Sequence, residues 1–292
     1  MPELIFAIYH YLSEEAERAE QMFLDAGLLD VALSVERLTG FHKVQLSSED
    51  VVQRLKLAAL AQGIKMPGIQ RVLHPTKKEL RAAPLLYLRA AEHHSPNGHP
   101  RKGTTYDESA TCAQCGAGLR QTSPLRLGKG EVPKTSTSAG VGDEFIFHQS
   151  VVTVLSAAHL RGIHFLPVLD ASEAELPWRQ LVVEHDMPPM SLGTRGLIRG
   201  RAGGEQPCAQ CGRDGYFDTA EDPFVPVYAA SVLFVMPDAA WTAERFGTGA
   251  WGSPVHGKRW LAERRLIVRP AVYEVLQPLK IRGLRWSPVR VI

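Results

Sequence analysis

The chain has 292 residues, of which 45% are hydrophobic and 22% charged, and its formal net charge at pH 7 is +2. This length allows one large domain or two small ones, and the composition is ordinary for a soluble globular protein. The small net charge gives no general electrostatic attraction to nucleic acid or to a membrane surface, and no apolar run approaches the roughly 20 residues that span a bilayer.

Residues 1–90 predict a separate α+β region. The apolar run Leu4–Leu12 predicts a strand rather than a signal peptide, because no Lys or Arg precedes it and no small-residue cleavage site follows. A helix over Ser13–Gly27, with a Ser cap and a terminal Gly, comes next. A strand at Val31–Leu38 and a second helix over Ser48–Gly63 complete the pattern, and two acidic residues in the first turn of that helix complement its dipole.

Two further elements and a linker close this region. The tetrapeptide Thr76–Glu79 matches a capping box and predicts a short helix. Leu85–Leu88 predict another strand, and the polar, Gly- and Pro-rich residues 91–107 predict a linker or surface loop. We interpret three histidines of this loop as solvated residues rather than metal ligands: His93, His94 and His99.

The pentapeptide Cys-Ala-Gln-Cys-Gly occurs twice, at Cys112–Gly116 and at Cys208–Gly212, and it contains all four cysteines of the chain. Two cysteines three positions apart on a tight turn bind a metal ion from one side, and a second pair completes a tetrahedral set of thiolates. The Gly after the second Cys tolerates a backbone conformation that a Cβ atom would resist. The sequence therefore predicts one structural zinc ion bound by four residues: Cys112, Cys115, Cys208 and Cys211.

Other chemistries use the same cysteine pattern. A CxxC pair also occurs in redox dithiols, disulfides and iron–sulfur sites. Two separate sites completed by histidines, or metal-free thiols, remain alternatives to one shared ion. The 92 residues between Cys115 and Cys208 exceed the usual spacing of about 15–20, so a whole substructure is inserted between the pairs. Paired cysteines that bind a metal fit the reducing cytoplasm better than an oxidising compartment.

A second repeat lies downstream of each cysteine pair. Ile146–Val168 aligns without gaps on Ile267–Val289, at a constant offset of 121 residues and with eight identities. Each copy predicts a strand, a helix with apolar residues at helical spacing, and a second strand. A chance resemblance is a poor explanation, because the same pentapeptide precedes both copies. The sequence therefore predicts an internal duplication.

The ends of the two repeated helices follow from single residues. Ser150 is a candidate N-cap for the first helix, and Pro270 suits the first turn of the second. Pro278 predicts that the second helix is kinked or shortened. Gly162 and Gly283 predict the point at which each helix stops.

The predicted fold is α+β. A small α+β region, 1–90, and a linker, 91–107, precede a duplicated domain, 108–292, whose halves at about 108–200 and 201–292 share one zinc ribbon. The offset between the copies is 96 residues at the cysteines and 121 at the helices, so the second half carries 25 extra residues. They fall within residues 219–265, where we predict a strand at Val225–Val235 and a short helix at Asp238–Phe246.

Two CxxCG motifs about a hundred residues apart, each followed by strand, helix, Arg-Gly and a strand ending in Pro-Val, resemble the double-CXXCG motif proteins. That family includes immunity proteins that protect bacteria from their own contact-delivered swarm-inhibition toxins. The resemblance covers roughly residues 105–292 and leaves 1–90 uncovered. It implies a zinc-stabilised, cytoplasmic, non-catalytic protein that neutralises a toxin by binding it. The matching segments are Cys112–Gly116, Ile146–Val168, Pro207–Arg213 and Ile267–Val289.

A protein that blocks a toxin needs a few aromatic or Arg anchors on a rigid surface. The second half carries a Gly-rich segment, Phe246–Pro254, followed by a basic and aromatic stretch. We predict three partner-binding residues in this region: Trp251, Arg259 and Trp260.

Enzyme motifs are missing from the sequence. It contains no HExxH, GxSxG, P-loop or GxGxxG pattern. The acidic clusters Glu184-His185-Asp186 and Asp143-Glu144 have no nucleophile beside them. A zinc ion with four cysteine ligands is closed to substrate, so we predict a protein without catalytic residues.

A zinc-ribbon protein that binds nucleic acid, or a regulatory protein, is the alternative function. Basic residues near an aromatic side chain can hold phosphates while a base stacks on the ring. Glu263 within the second basic cluster and the small net charge argue against this role. The basic residues concerned are Arg195, Arg199 and Arg201 near the second cysteine pair, and Lys258, Arg259, Arg264 and Arg265 around Trp260.

Overall fold

The structure is a computed structural model of the chain. It describes residues 3–10, 22, 27, 34–38, 41–46, 48–64, 69–90, 93–94, 103–128, 132, 138–141, 144–199, 208–213, 215–219, 222–247, 263–281 and 283–292. The described residues contain both helices and strands, which is consistent with the predicted α+β fold. The chain divides into two compact units. The first contains Met1–Thr76, Arg195–Leu197 and Asp218–Phe224, and the second contains Lys77–Thr194, Ile198–Phe217 and Val225–Ile292.

The first unit contains a four-stranded antiparallel sheet with the order β2-β3-β1-β4. Its elements are β1 (Glu3–His10), β2 (Ser34–Leu38), β3 (Phe41–Leu46), α1 (Glu49–Ala61) and β4 (Ile69–Leu73). The strand predicted at the start of the chain is confirmed as β1. Apart from residues 22 and 27, the helix predicted over residues 13–27 lies outside the described residues.

Helix α1 begins where its sequence predicts. The Ser48 hydroxyl accepts a hydrogen bond from the Val51 amide at 3.3 Å, which satisfies one of the free N–H groups of the first turn. The Glu49 carboxylate accepts a 2.7 Å hydrogen bond from the guanidinium of Arg71 in β4. That bond is the main reason why the pKa of Glu49 lies below its usual value. The buried residues are Val51, Val52, Leu55 and Ala59.

From residue 77 onward the chain forms two similar series of elements. The first series is α2 (Lys77–Ala82), β5 (Leu85–Ala90), β6 (His93–His94), β7 (Tyr106–Asp107), β8 (Arg120–Gln121), β9 (Leu125–Arg126), β10 (Ser138–Val141), β11 (Glu144–His148), α3 (Gln149–Ala157) and β12 (Ile163–Leu169). The second series is β13 (Glu175–Val183), β14 (Leu197–Arg199), β15 (Tyr216–Asp218), β16 (Val227–Tyr228), α4 (Val232–Val235), β17 (Ala239–Trp241), β18 (Leu266–Val268), α5 (Pro270–Leu276) and β19 (Leu284–Val291).

Two sheets in the second unit share one topology. The first has the order β6-β10-β11-β13-β12-β9, and the second has the order β16-β19-β5-β18-β17. Strands β9, β10, β11 and β12 of the first sheet therefore correspond to β16, β17, β18 and β19 of the second. The strand between β11 and β12 is β13, and the strand between β18 and β19 is β5.

The strand registers match residue by residue. Across β11, β13 and β12, one row of paired residues is Ile146, Gln180 and Leu166. Across β18, β5 and β19, the corresponding row is Ile267, Tyr87 and Ser287. Ile146 and Ile267 differ by 121 residues, as do Leu166 and Ser287, so the offset found in the sequence holds in both sheets.

The two halves exchange their first strands. Strand β5 precedes the first cysteine pair in the chain but lies in the sheet of the second half, between β18 and β19. Strand β13 precedes the second pair but lies in the sheet of the first half, between β11 and β12. After each exchanged strand, the chain returns to its own half. After β5, strand β6 pairs with β10 of the first half, and after β13, Asp186 forms a bridge with Trp241 in β17 of the second half.

This exchange places the repeat boundaries earlier than the sequence suggested. Each structural repeat begins at β5 or β13, ahead of the halves predicted at about 108–200 and 201–292. Leu85–Leu88 form a strand as expected, but that strand belongs to the second unit, which begins at Lys77 rather than near residue 90. The reason is that the partners of β5 come from the far end of the chain, which local patterning does not reveal.

Helices α3 and α5 occupy equivalent positions. Their first residues, Gln149 and Pro270, are 121 positions apart. Pro270 stands at the first turn as predicted, and the chain tightens into a 3₁₀ turn, Gln277–Leu279, around Pro278. The prediction of a shortened second helix is confirmed.

The ends of α3 differ from the prediction. The N-cap is His148 rather than Ser150, because the ring Nδ1 of His148 accepts the Ser150 amide at 3.3 Å. At the other end, the first left-handed residue is His159, with φ = 50°, and Lys280 takes the same conformation after α5, with φ = 48°. After His159, Gly162 also has a left-handed backbone, with φ = 74°. The stop predicted for α3 at Gly162 therefore consists of two left-handed residues, His159 and Gly162.

The segment with extra residues folds differently from the prediction. Val225–Val235 contains the short strand β16 and helix α4, and Asp238–Phe246 contains strand β17 instead of a helix. The guanidinium of Arg269 donates hydrogen bonds to the carbonyls of Leu233 at 2.7 Å and Met236 at 2.8 Å, and so stabilises the helical turn from a distant part of the chain. The offset is 101 from β10 to β17 and 121 from β11 to β18, so 20 extra residues separate β17 from β18.

One hydrophobic cluster joins both sheets to the helices. It draws buried residues from β5, β11, β13, β17 and β18 and from α2, α3 and α5. Fully buried apolar side chains are the main source of folding free energy, at about 25 cal/mol per Å² removed from water. The two halves therefore stabilise each other. Central members of the cluster are Leu88, Phe147, Leu155, Leu181, Leu266 and Leu276.

We expect Gly162→Ala to destabilise the protein by about 2–5 kcal/mol, from left-handed strain and overpacking together. A Cβ at residue 162 would lie 2.9 Å from the Pro237 side chain, and the backbone φ there is +74°. Gly247→Ala is the matched control, because Gly247 has φ = +76° and a Cβ at residue 247 would meet no atom within 4 Å. Urea denaturation compares the two variants, and equal losses would contradict the role of Pro237.

The strand exchange predicts that a cut chain stays together. A protease site inserted between Ser172 and Glu173 lies in the exposed turn between β12 and β13. After cleavage, each fragment still holds the central strand of the other fragment's sheet, so we expect one species on native size-exclusion chromatography even with a metal chelator present. Two fragments that elute separately would show that the exchanged strands do not hold the halves together.

Candidate metal centre

The first cysteine motif forms a tight turn between β7 and β8. The Gly116 amide donates a hydrogen bond to the Cys112 carbonyl at 2.8 Å, and the Cys112 amide donates to the Ala117 carbonyl at 2.8 Å. Gly116 has φ = 74°, in the left-handed region that a Cβ atom resists. The role predicted for this glycine is therefore confirmed. We call residues 112–116 knuckle 1.

The second motif, residues 208–212 between β14 and β15, forms the same turn, and we call it knuckle 2. The Gly212 amide donates to the Cys208 carbonyl at 2.7 Å, and the Cys208 amide donates to the Arg213 carbonyl at 3.0 Å. Gly212 has φ = 63°. Identical pentapeptides therefore present their two thiols in the same local geometry.

The four thiols converge on one point. The Sγ atoms of Cys112 and Cys208 are 3.7 Å apart, and those of Cys115 and Cys211 are 3.6 Å apart. All four sulfurs lie within 4.8 Å of one another. A tetrahedron with metal–sulfur arms of about 2.3 Å has edges of about 3.8 Å, so the cluster has the size of a single metal site.

The position of the four sulfurs distinguishes one shared metal site from two separate sites, which the sequence left open. Both knuckles contribute to one cluster, and within the described part of the chain no His, Asp or Glu side chain belongs to it. Two separate sites completed by histidines do not fit this arrangement. His93 and His94 form strand β6, and His99 lies outside the described residues.

The two knuckles differ in burial, and their thiols differ in acidity. Cys115 is 8% exposed, whereas Cys211 is exposed to solvent. Burial raises the pKa of Cys115 to about 12 and is also the main cause that raises the pKa of Cys211. At Cys112, burial raises the pKa, but hydrogen bonds from the amides of Cys115 and Gln114 outweigh it, and the pKa falls to about 7.

The donor set limits the metal ions that the cluster suits. Four sulfur atoms in a tetrahedral arrangement match zinc or iron–sulfur chemistry, whereas Mg²⁺ and Ca²⁺ prefer six or more oxygen ligands. Thiols must lose their protons to bind, so metal binding competes with protonation of all four cysteines. With four protein ligands, a tetrahedral ion has no open position for a substrate.

The structure adds two residues that the sequence analysis did not single out. The Gln114 amide donates to Oε1 of Gln210 at 3.0 Å, and the Gln210 amide donates to Oε1 of Gln114 at 3.2 Å. These reciprocal bonds cross from one knuckle to the other. The signal was present in the sequence, because both copies of the pentapeptide carry Gln at the same position.

Among the described residues, the acidic cluster singled out in the sequence does not join this site. The predicted partner-binding residues Trp251, Arg259 and Trp260 lie outside the described residues. In the acidic cluster, Asp186 accepts a 3.0 Å hydrogen bond from Arg264, and Glu184 lies 3.9 Å from the His164 ring. Asp186 therefore has a structural partner.

In the portion of the chain that the structure describes, no helix combines the length and apolarity needed to cross a bilayer.

Comparison of the sequence with protein-family models finds no match, and comparison with curated proteins finds none either. The resemblance of the two motifs to the double-CXXCG proteins thus stays a prediction.

We expect Cys112→Ser to abolish metal binding and to lower the melting temperature together. The variant leaves three thiols in a site that needs four, and in a domain of this size each kcal/mol lost lowers the melting temperature by about 2–4 °C. Elemental analysis and a thermal melt provide the two measurements. Ala113→Ser is the matched control, because residue 113 is exposed and its substitution keeps all four sulfurs. A Cys112 variant that loses metal but keeps its melting temperature would contradict a stabilising role.

Proposed function

We propose that the protein is a non-catalytic binding protein whose two halves are linked by one structural zinc ion. The four-sulfur cluster carries this proposal, because each half supplies two of the four ligands. Cys112, Cys115, Cys208 and Cys211 would hold the ion, and the ion would supply a strong cross-link between residues that are distant in the chain. Structural zinc in small modules contributes on the order of 10–16 kcal/mol of apparent binding free energy.

Zinc is the proposed ion because it prefers four-coordinate tetrahedral thiolate sites and undergoes no redox change. The sulfur pairs at 3.7 and 3.6 Å are close to the edge length of about 3.8 Å that zinc–thiolate bonds produce. The two knuckles and their flanking strands, β7–β8 and β14–β15, would then form a zinc ribbon built from both repeats. The thiols stay reduced in the cytoplasm, where we place the protein.

A binding role follows from what this site does not supply. A zinc ion surrounded by four thiolates has no free position at which to polarise a substrate or activate water. Its function would be to fix the shape of the surface around it. Pre-organised surfaces bind partners more tightly, because less conformational entropy is lost on association.

The proposed partner is a toxin protein, which the chain would neutralise by direct binding as an immunity protein. The support is the resemblance carried by the two knuckles and by the repeated strand–helix–strand units, residues 146–168 and 267–289. The strand exchange and common core add a rigid scaffold of the kind that such binding needs.

The nucleic-acid alternative gains little from Arg264 and Arg265. The Arg264 guanidinium binds Asp186 at 3.0 Å and lies over the Trp241 ring, 5.1 Å from its centre. The Arg265 guanidinium lies 3.7 Å from the centre of the Phe246 ring. Side chains held in internal contacts are less available to phosphates, so we favour a protein partner.

The test combines metal content with toxin protection. We expect one zinc per chain by elemental analysis of the protein purified without added metal. The gene is then co-expressed with any toxin gene found beside it in the genome, and growth is measured with wild type, with Cys112→Ser and with the Ala113→Ser control. Protection by wild type and the control, together with a stoichiometric complex, supports the immunity function. Zinc with no protection, but with nucleic acid that nuclease removes, would favour the alternative.

A further inference from the structure

We propose that Gln114 and Gln210 are positioning residues of the metal centre, whose crossed side chains hold the knuckles at the spacing that one ion requires. This inference rests on the proposed zinc site. Each glutamine occupies the third position of its CxxC turn, and its carboxamide reaches the main chain of the opposite knuckle.

The geometry of the pair is reciprocal. The Gln114 amide to Gln210 Oε1 distance is 3.0 Å, and the Gln210 amide to Gln114 Oε1 distance is 3.2 Å. Both donors are main-chain N–H groups inside the turns, so the two bonds fix one backbone against the other. Neither of these two bonds uses a sulfur atom. Oε1 of Gln114 also accepts a 3.6 Å contact from the Cys208 thiol, whose proton must leave before a metal binds.

The second knuckle has the greater need for such a connection. Residues 208–212 of knuckle 2 are exposed or half-buried, whereas Cys115 and Gly116 of knuckle 1 are buried. The position of Cys115 is set by packing. The crossed bonds place the exposed Cys211 within 3.6 Å of it.

A carboxamide suits this place better than the side chains that resemble it. Four thiolates and Zn²⁺ carry a net charge of −2, so a carboxylate here would add a like charge beside the cluster. Oε1 of Gln114 lies 3.6 Å from the Cys208 sulfur, so a carboxylate at residue 114 would place its negative charge at about the same distance from that thiolate. An alanine or serine is too short to reach the opposite turn. Glutamine therefore combines the required reach, an acceptor oxygen and no charge.

The physical effect is pre-organisation of the ligands. Groups that orient metal ligands without touching the ion contribute typically about 10–100-fold to metal affinity. We expect the double variant Gln114→Ala/Gln210→Ala, in the full chain, to bind one zinc ion about 10–100-fold more weakly and to release it faster to a chromophoric chelator. The Co²⁺-substituted variant should keep its sulfur-to-metal charge-transfer band, because all four thiolates remain.

Two further variants distinguish positioning from simple packing. The first variant combines Ala113→Gln and Ala209→Gln with the two Gln→Ala changes. Its composition is that of the wild type, but each carboxamide moves by one residue, and we call it the reordered chain. We expect zinc affinity to stay low in this chain. Gln114→Glu/Gln210→Glu keeps the acceptor oxygens and adds two charges, so its zinc affinity should fall and should recover partly at high salt because salt screens the repulsion.

The outcomes separate this inference from the function on which it rests. Wild type that binds one zinc ion, with weak binding in the alanine and reordered variants, supports the positioning role. Wild type that binds zinc, with equally tight binding in both variants, overturns the positioning role and leaves the zinc site intact. A wild-type protein that binds no zinc overturns both.

Discussion

The exchange of β5 and β13 between the two sheets is the constraint on which the rest of the second unit depends. Each of these strands is central in its sheet, with hydrogen-bonded neighbours on both sides that come from the other half. Leu85, Leu86, Tyr87 and Leu88 are all buried, so β5 is covered on both faces. Neither half can complete its sheet or its share of the common core alone, because the missing strand would expose a row of backbone donors and acceptors and the apolar residues on either side.

The thiol cluster lies within this interlocked arrangement, and the proposed metal ion would make it a second link between the halves. Both halves form the same turn around their cysteines, and the approach of one turn to the other brings four sulfurs within 4.8 Å. Strand pairing and the proposed metal ligation use different residues and different forces. The first depends on hydrogen bonds and buried apolar area, and the second depends on thiolate ionisation. Each link lowers the entropy cost of forming the other, because the halves are already held near their final positions.

The two knuckles also show how environment separates residues with identical local sequence. Cys115 and Cys211 occupy the same position of the same pentapeptide, but Cys115 is buried and Cys211 is exposed. Burial penalises the thiolate, so the pKa of Cys115 rises to about 12, while amide hydrogen bonds lower the pKa of Cys112 to about 7. Symmetry in the sequence therefore gives symmetric backbone turns without giving symmetric electrostatics.

The sequence by itself determined the features that depend on near neighbours. The turns at Gly116 and Gly212, the start of α1 at Ser48, the Pro270 start and the repeat offset of 121 all follow from local backbone preference or from residue identity. Only the tertiary structure decided the strand exchange, the helical turn at Val232–Val235 and the crossed glutamines. The partners of these groups lie far away along the chain, and single-sequence patterns encode which face is apolar but not which distant strand or amide will meet it.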